Sequence, residues 1–503
     1  MTKKENTMSN IRGFAALLGC LLLLGCEVGP DYHLPRLLLP EHWLTKAPAK
    51  PDPAALKKAE LDREWWKNFD DPVLEKLIAM AAHGNFDLKI AETRIAEARA
   101  NRAQAQAGLM PTVKADGSAL RQANRIAFPG EGSGPSPFNV KAPFNTFQAG
   151  FDASWELDLF GGARRKREEE SARLDAAIDT AEDTRIRLMA EVARSYIDIR
   201  HDQAQLHVIA ETADADRKTV RLTQELFKTG TTAHVDAVRA DAELAATEAD
   251  VHKWKNQLAQ SEFGLDLLLG ANPGTTHGIL AEAAPKAEKG KKAAKTKNRE
   301  GVIPTAAAKP VLAAPAAVIA NRPDLRAAER SLAAATAEQG VATAALFPDV
   351  SLSGFLGLLN VEAGKFVSLR SQSWSEGASI TAPIFDFGRL RSQLKLAKEE
   401  QKEALLSYEK SVIGALSDVE SSLSAYTQED AHRHALRRVV DDDRRAASVA
   451  LERYKQGMTN FLEVLDAQRS LYTAQSQVID SDAQTSENLV ALYKSLGGGW
   501  KVK

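Results

Sequence analysis

Phe227-Lys228-Thr229-Gly230 and Tyr454-Lys455-Gln456-Gly457 are one phrase written twice, 227 residues apart (227 to 454). Each closes a run without proline, Arg164–Lys228 and Arg391–Lys455, of 65 residues apiece (164 to 228, 391 to 455). At 1.5 Å per residue such a run makes a helix of about 98 Å. In the second run Leu405, Tyr408, Val412, Leu416, Val419, Leu423 and Tyr426 step by threes and fours among many alanines. That is the spacing of a coiled coil in close packing. After each glycine comes a short turn and a second helix, which returns to Gly270 or Gly497. The chain therefore carries two helical hairpins of great length.

The duplication extends upstream of the hairpins. Leu109-Met110-Pro111 and Asp87 have counterparts 237 residues later (109 to 346), in Leu346-Phe347-Pro348 and Asp324. Phe160-Gly161, Val192 and Leu269-Gly270 have theirs 227 residues later (160 to 387), in Phe387-Gly388, Val419 and Leu496-Gly497. The change of offset falls inside residues 112–159, where a loop between two strands absorbs it at least cost. Phe147, Ala149, Phe151, Ala153, Trp155 and Leu157 alternate with Gln148, Gly150, Asp152, Ser154, Glu156 and Asp158, which predicts a strand with one apolar and one polar face. Trp374, Ala378, Ile380, Ala382 and Ile384 share a parity in a second strand, with Glu376 placed at the rim of its apolar face. Val350, Leu352 and Gly354 mark a third strand, and the stretch after Pro111 a weaker fourth. A first helix is expected from Pro72 to about Gly108.

Composition narrows the function classes. Of 503 residues, 44% are hydrophobic but only 6% aromatic, which suits a coiled coil packed by small and aliphatic side chains. With 65 basic and 67 acidic residues the net charge is -2, so nucleic acid is not an expected partner. The two cysteines, Cys20 and Cys26, both stand near the N-terminus, which excludes a disulfide framework or a cysteine zinc site elsewhere. The histidines lack the helical spacing of a metal pair, and no nucleophile–base constellation appears; no metal, no nucleotide and no enzymatic activity is expected. Glu168-Glu169-Glu170 and Asp441-Asp442-Asp443 read as solvated helix faces.

Lys3, Lys4 and Arg12 precede an apolar run from Phe14 to Gly25, the layout of an export signal. The run stops at Leu23-Leu24-Gly25-Cys26, which resembles the lipobox of bacterial lipoproteins; Leu17-Leu18-Gly19-Cys20 is the weaker alternative. The expected layout is a lipoprotein signal peptide over 1–25, then a lipid-anchored extended segment over 26–71. A first repeat covers 72–284, a Lys/Ala-rich insert and linker 285–320, a second repeat 321–497 and a tail 498–503. The insert reads as a solvated linker, with a docking patch for an acidic partner or lipopolysaccharide as the alternative.

Four strands cannot close a barrel, and an open sheet edge is not tolerated in lipid. Three chains would bring twelve strands, an even number within the range of membrane barrels. The helices are too polar for lipid and must project into water. A small soluble sheet capping a coiled coil is the competing explanation of the same strands.

Cys26-Glu27-Val28-Gly29-Pro30-Asp31-Tyr32 resembles the mature start of outer membrane factor lipoproteins of the TolC/OprM and NodT type. Trp65-Trp66, Asp71-Pro72 and Asn85-Phe86-Asp87-Leu88 resemble that family's first helix, and Asn321-Arg322-Pro323-Asp324-Leu325 the start of its second repeat. Tyr454-Lys455-Gln456-Gly457 with Phe461-Leu462-Glu463-Val464-Leu465-Asp466 resembles its second hairpin tip. The resemblance implies an α+β membrane protein. A homotrimer would form a twelve-stranded β-barrel, four strands per chain, that continues into a coiled-coil α-helical tunnel in the periplasm of a Gram-negative bacterium. It implies the outer-membrane exit duct of a tripartite efflux system of the RND type, served by a periplasmic adaptor and an inner-membrane pump. A type I secretion duct, or a lipid-anchored periplasmic scaffold without a pore, are the alternatives. No cofactor is expected beyond the covalent lipid, a diacylglycerol and an N-acyl chain, on Cys26.

The same resemblance assigns sites. Glu463 and Asp466, three apart on one helix face, would form two carboxylate rings at the periplasmic gate of a trimer. As single side chains they are equally two solvated carboxylates. Asp236 and Tyr454 match a hydrogen-bonded gate latch, although Thr459 stands where the family has a basic latch residue; coiled-coil packing is the other reading of Tyr454. Gly230 and Gly457 mark the tips where the adaptor would dock, and would otherwise be plain helix stops.

Overall fold

The structure, a computed structural model, describes residues 27–45, 59–123, 143–283, 301–306 and 312–502. The signal region, Cys26 and most of the Lys/Ala-rich insert lie outside the described residues. The chain forms two units: one from the chain up to Pro35 with Ile95–Ala177 and Ala328–Tyr408, the other from Arg36–Arg94, Ile178–Ala327 and Glu409–Lys503.

The first unit holds an antiparallel four-stranded sheet, β2 (Thr112–Gln122), β3 (Phe144–Leu157), β4 (Asp349–Asn360) and β5 (Gln372–Thr381), ordered β2-β3-β4-β5. The pairing puts like with like. Ala115, Phe151, Leu356 and Trp374 stand in one row across the four strands, and Val350 opposite both Leu157 and Ile380. On the other face Ser118 pairs with Gln148, Lys114 with Asp152, and Ser351 with Glu156 and Ser379. Because side chains alternate with period two, this register sends most of the apolar set to one face and most of the polar set to the other; Phe355 and Leu359, opposite Asp152 and Gln148, are the apolar exceptions on the polar face. The strand before Pro383 does not extend as far as the alternation suggests: β5 ends at Thr381, since the proline nitrogen cannot donate to a ladder. Glu376 is likewise not at a rim but in mid-strand, opposite Gly354. β2 and β5 are the edges, each paired on one side.

Helices α3 (Gly162–Lys228) and α7 (Pro323–Ala344) meet in this unit through Ala172, Ala333 and Ala334, with the Tyr32 ring against them. Glu169 and Glu170 are not a solvated face here. Both are buried, with Lys166 2.9 Å from each and Arg173 2.6 Å from Glu169.

In the second unit the segment expected to be an extended tether contains β1 (Ala59–Asp62), which pairs with β6 (Gly499–Val502) in the stretch read as a tail. Asp71 caps α1 (Pro72–Gly84) by accepting from the amides of Val73 and Leu74, and the helix buries Val73, Leu74, Leu77, Ile78 and Ala81. The single helix expected to Gly108 is two. Asn85 Oδ1 accepts from the amides of Asp87 and Leu88 and so starts α2 (Phe86–Ala107), while its Nδ2 donates to the Leu268 carbonyl at 2.9 Å. The hairpins follow: α3 with α4 (His234–Leu269), then, after α5 (Thr275–Ala283) and α6 (Pro315–Asn321), α8 (Arg389–Lys455) with α9 (Phe461–Ser495). Their main core joins Val192, Tyr196, Ile197 and Ile199 of α3 to α1 and to Leu489, Val490 and Tyr493 of α9; Trp65 stacks on Tyr493 at 5.2 Å. Among the described residues no helix is long and apolar enough to cross a membrane.

Candidate gate at the hairpin tips

Both tips turn in the same way. Gly230 has φ +73° and Gly457 φ +70°, and a Cβ at either would meet nothing. The glycine is there for its backbone and not for space. The Gly230 amide donates to the Phe227 carbonyl and the Thr231 amide to the Leu226 carbonyl. Gly457 and Met458 repeat this with Tyr454 and Arg453, all four bonds at 2.9 Å. This paired closure satisfies the last carbonyls of α3 and α8. Around it Phe227, Val235, Val238, Met458 and Leu462 are exposed.

The two tips are packed together by Val220, Ala240, Tyr454, Phe461, Val464 and Leu465, with the Tyr454 and Phe461 rings 5.5 Å apart. Asp236 and Tyr454 are brought together, but through a third residue that the sequence reading does not contain. Thr232 Oγ1 donates to Asp236 Oδ2 at 2.6 Å and lies 3.1 Å from Tyr454 Oη. A hydroxyl has one proton, so Tyr454 must be the donor to Thr232 and the chain runs Tyr454 to Thr232 to Asp236. Burial pushes the Tyr454 phenol up, and the Asp236 charge adds to it, which keeps that donor proton in place at neutral pH. Thr232→Val keeps the shape and removes both bonds, at a cost of about 1.4 kcal/mol. Amide exchange across residues 454–461 is then expected to rise about tenfold, readable by hydrogen–deuterium exchange.

Glu463 and Asp466 both lie on the exposed face of α9, and Glu463 contributes its amide to the Asn460 side-chain cap. One turn on, Arg469 grips Glu243 of α4 through Nε at 3.0 and 3.2 Å, a tie between the hairpins that neither repeat nor motif announces. Among the described residues no group of three or more histidine, cysteine or acidic side chains is placed to hold a metal ion.

A family model described as "Outer membrane efflux protein" matches residues 77–271 and 314–498. The chain is 30% identical over 492 residues to the solvent efflux pump outer membrane protein SrpC of Pseudomonas putida, covering 97% of this chain and 98% of that one. It is 28% identical over 484 residues to the cation efflux system protein CusC of Escherichia coli, covering 96% and 97%. Among solved structures the outer-membrane channel OprN is similar with a TM-score of 0.79 at 33% identity, over 94% of this chain and 99% of that one. The open state of the Neisseria gonorrhoeae MtrE outer membrane channel is similar with a TM-score of 0.74 at 26% identity, over 94% and 98%.

Proposed function

The chain belongs to the outer membrane efflux protein family, and from that membership we propose that it works as the outer-membrane exit duct of a tripartite efflux machine of the RND type. Three copies join their sheets into one twelve-stranded barrel, and the hairpins continue it as a periplasmic tunnel. The observation that carries this reading is the sheet of the first unit. Its apolar face exposes Phe151, Leu356, Trp374 and Ile380, and both its edges have one partner strand each. A lone sheet of that kind is unstable in water and impossible in lipid; closure with further copies removes both problems.

In this reading Cys26 carries the acyl chains that hold the mature chain at the membrane. The adaptor docks at the exposed apolar side chains around Gly230 and Gly457. Glu463 and Asp466 ring the closed end, favouring cations. Relatives named for solvent and for cation efflux align over nearly the same length, so we place the choice of cargo in the pump and not in this chain.

Purified trimer in planar bilayers is expected to conduct, with a reversal potential that favours cations. Glu463→Ala with Asp466→Ala is expected to raise the conductance and reduce that preference. A correctly assembled trimer that stays silent in both forms would leave only the scaffold reading.

A further inference from the structure

Between the apolar core near Tyr196 and the apolar cluster at the tips, α3 and α9 touch through a ladder of polar rungs. They run antiparallel, so the residue numbers of each rung fall on one helix as they rise on the other. Gln468 Nε2 donates to Thr219 Oγ1 at 3.3 Å. Gln205 and Ser476 bond twice, Gln205 Nε2 to the Ser476 carbonyl at 3.2 Å and Ser476 Oγ to Gln205 Oε1 at 3.0 Å; Gln205 also donates to Asp480 at 2.8 Å. His201 stands between two carboxylates, Nε2 2.8 Å from Asp480 and Nδ1 3.1 Å from Asp202, with the Trp254 ring edge-on. Above it Asp198 of α3 and Glu487 of α9 bring a second pair of carboxyl groups to the seam, with Arg194 3.5 Å from Glu487.

We propose that this ladder is a proton-operated lock: the α3–α9 seam is closed while His201 is charged between Asp202 and Asp480 and the Asp198–Glu487 pair keeps one proton, and it loosens when those protons leave. Two adjacent carboxylates cannot both ionise without repulsion, and a neutral imidazole can donate to only one of its two carboxylates. Both losses weaken the same seam. Apolar packing at either end keeps the helices paired, so the polar stretch between can open without the chain unfolding. The lock belongs to the chain whether or not the trimer conducts.

The charged groups that face the ladder are Arg194 and Asp202 from α3 itself and Asp480 from α9; α4 contributes the Ser261 hydroxyl, 2.6 Å from Asp202, and the segment 301–306 the Pro304 carbonyl, held by Ser486 at 2.7 Å. Burial and then the Asp198 charge raise Glu487 to about 7. Burial opposes charge on His201, yet Asp202 and Asp480 outweigh it and raise the ring to about 9. The signs agree. A carboxyl raised in the closed state stabilises it at acid pH and loses that contribution as pH rises through 7. A histidine raised in the closed state does the same as pH rises through 9.

The test is amide exchange of assembled protein in detergent, read over residues 474–488 at pH 6 and pH 8 and corrected for intrinsic rates. The opening constant of wild type is expected to rise roughly hundredfold across that interval. Glu487→Gln leaves a polar side chain at the same place without a titrating proton, and should remove about tenfold of the rise. His201→Gln added to it should leave a nearly flat profile. A flat wild-type profile, which needs no variant to fold, overturns the lock. So does a double variant, helical by circular dichroism, that responds as steeply as wild type.

Discussion

Phe151→Arg is expected to keep the protein out of the bilayer while leaving its helices folded. Phe151 occupies the middle of β3, in the row Ala115, Phe151, Leu356 and Trp374, and its side chain is 60% exposed with 56% for Leu356 and 69% for Trp374. In the proposed barrel that row faces lipid near the midplane, where an arginine costs about 2–4 kcal/mol. A trimer presents the charge three times, so the penalty is about 6–12 kcal/mol per assembly, comparable with the whole stability of a domain. The neighbouring position gives the internal comparison. Asp152 lies on the opposite face beside Lys114, and Asp152→Asn should insert like wild type. Phe151→Leu should as well, being apolar. The readout is the fraction of protein that floats with liposomes as trimer after refolding. Equal insertion of Phe151→Arg and Asp152→Asn would show that the apolar face meets protein or water, and the barrel would fall.

That comparison also shows which parts of the fold were legible. The alternation from Phe147 to Leu157 announces both faces of β3, and the register with Val350–Leu358 keeps them aligned, because period two is a local property. The proline-free runs announce α3 and α8 to within two residues, since nothing in them can end a helix before Gly230 or Gly457. What stayed hidden depends on a side chain bonding to backbone or to a distant partner. Gly84-Asn85 has the residue types of a helix stop, yet the apolar spacing runs on past it, and only the Asn85 side-chain bonds show that a new helix starts there. β1 finds β6 across more than four hundred residues, and neither is periodic enough to read alone. At the hairpin tips, Tyr454 and Asp236 were visible as members of a motif. Thr232 was not, because its part comes from the turn that carries it past Tyr454. Glu463 and Asp466 were legible as neighbours on one face, and both lie on the exposed side of α9, while the rungs at Asp198, His201 and Glu487 look in sequence like any helix surface.

Gly340→Val is expected to release the segment Glu27–Pro35 from the first unit. The segment is held by an unusual fit. Gly29, at φ +95°, lies so close to α7 that a Cβ on it would stand 2.6 Å from Gly340 Cα, and a Cβ on Gly340 would meet the Arg165 stem at 2.8 Å. Arg165 is the other half of the clasp. Its side chain is 4% exposed, and its guanidinium reaches Asp31 at 2.6 Å, Glu168 at 2.7 Å and Glu27 at 3.4 Å. The Val28 amide donates to the Phe160 carbonyl at 3.1 Å, and Tyr32 donates to Glu329 at 3.0 Å. A valine at 340 pushes on the stem of Arg165, a buried side chain ion-paired to Glu27 and Asp31 of the segment. Overpacking of that kind costs about 1–3 kcal/mol, or roughly tenfold to hundredfold in the population of the released segment. Once the segment leaves, Arg165 regains water and limits the loss, so the rest of the unit should stay folded. Trypsin reads this directly: cleavage after Arg36 should accelerate by that factor in Gly340→Val, with no matching change at sites in α8. Arg165→Met separates the two halves of the clasp, because it removes the ion pairs and leaves the glycine contact intact. Its effect should be smaller than that of Gly340→Val, since Glu27, Asp31 and Glu168 all reach solvent and can be hydrated when the guanidinium is gone. Were Arg165→Met the more damaging of the two, the clasp would be electrostatic, and the close approach of Gly29 to Gly340 would be its consequence.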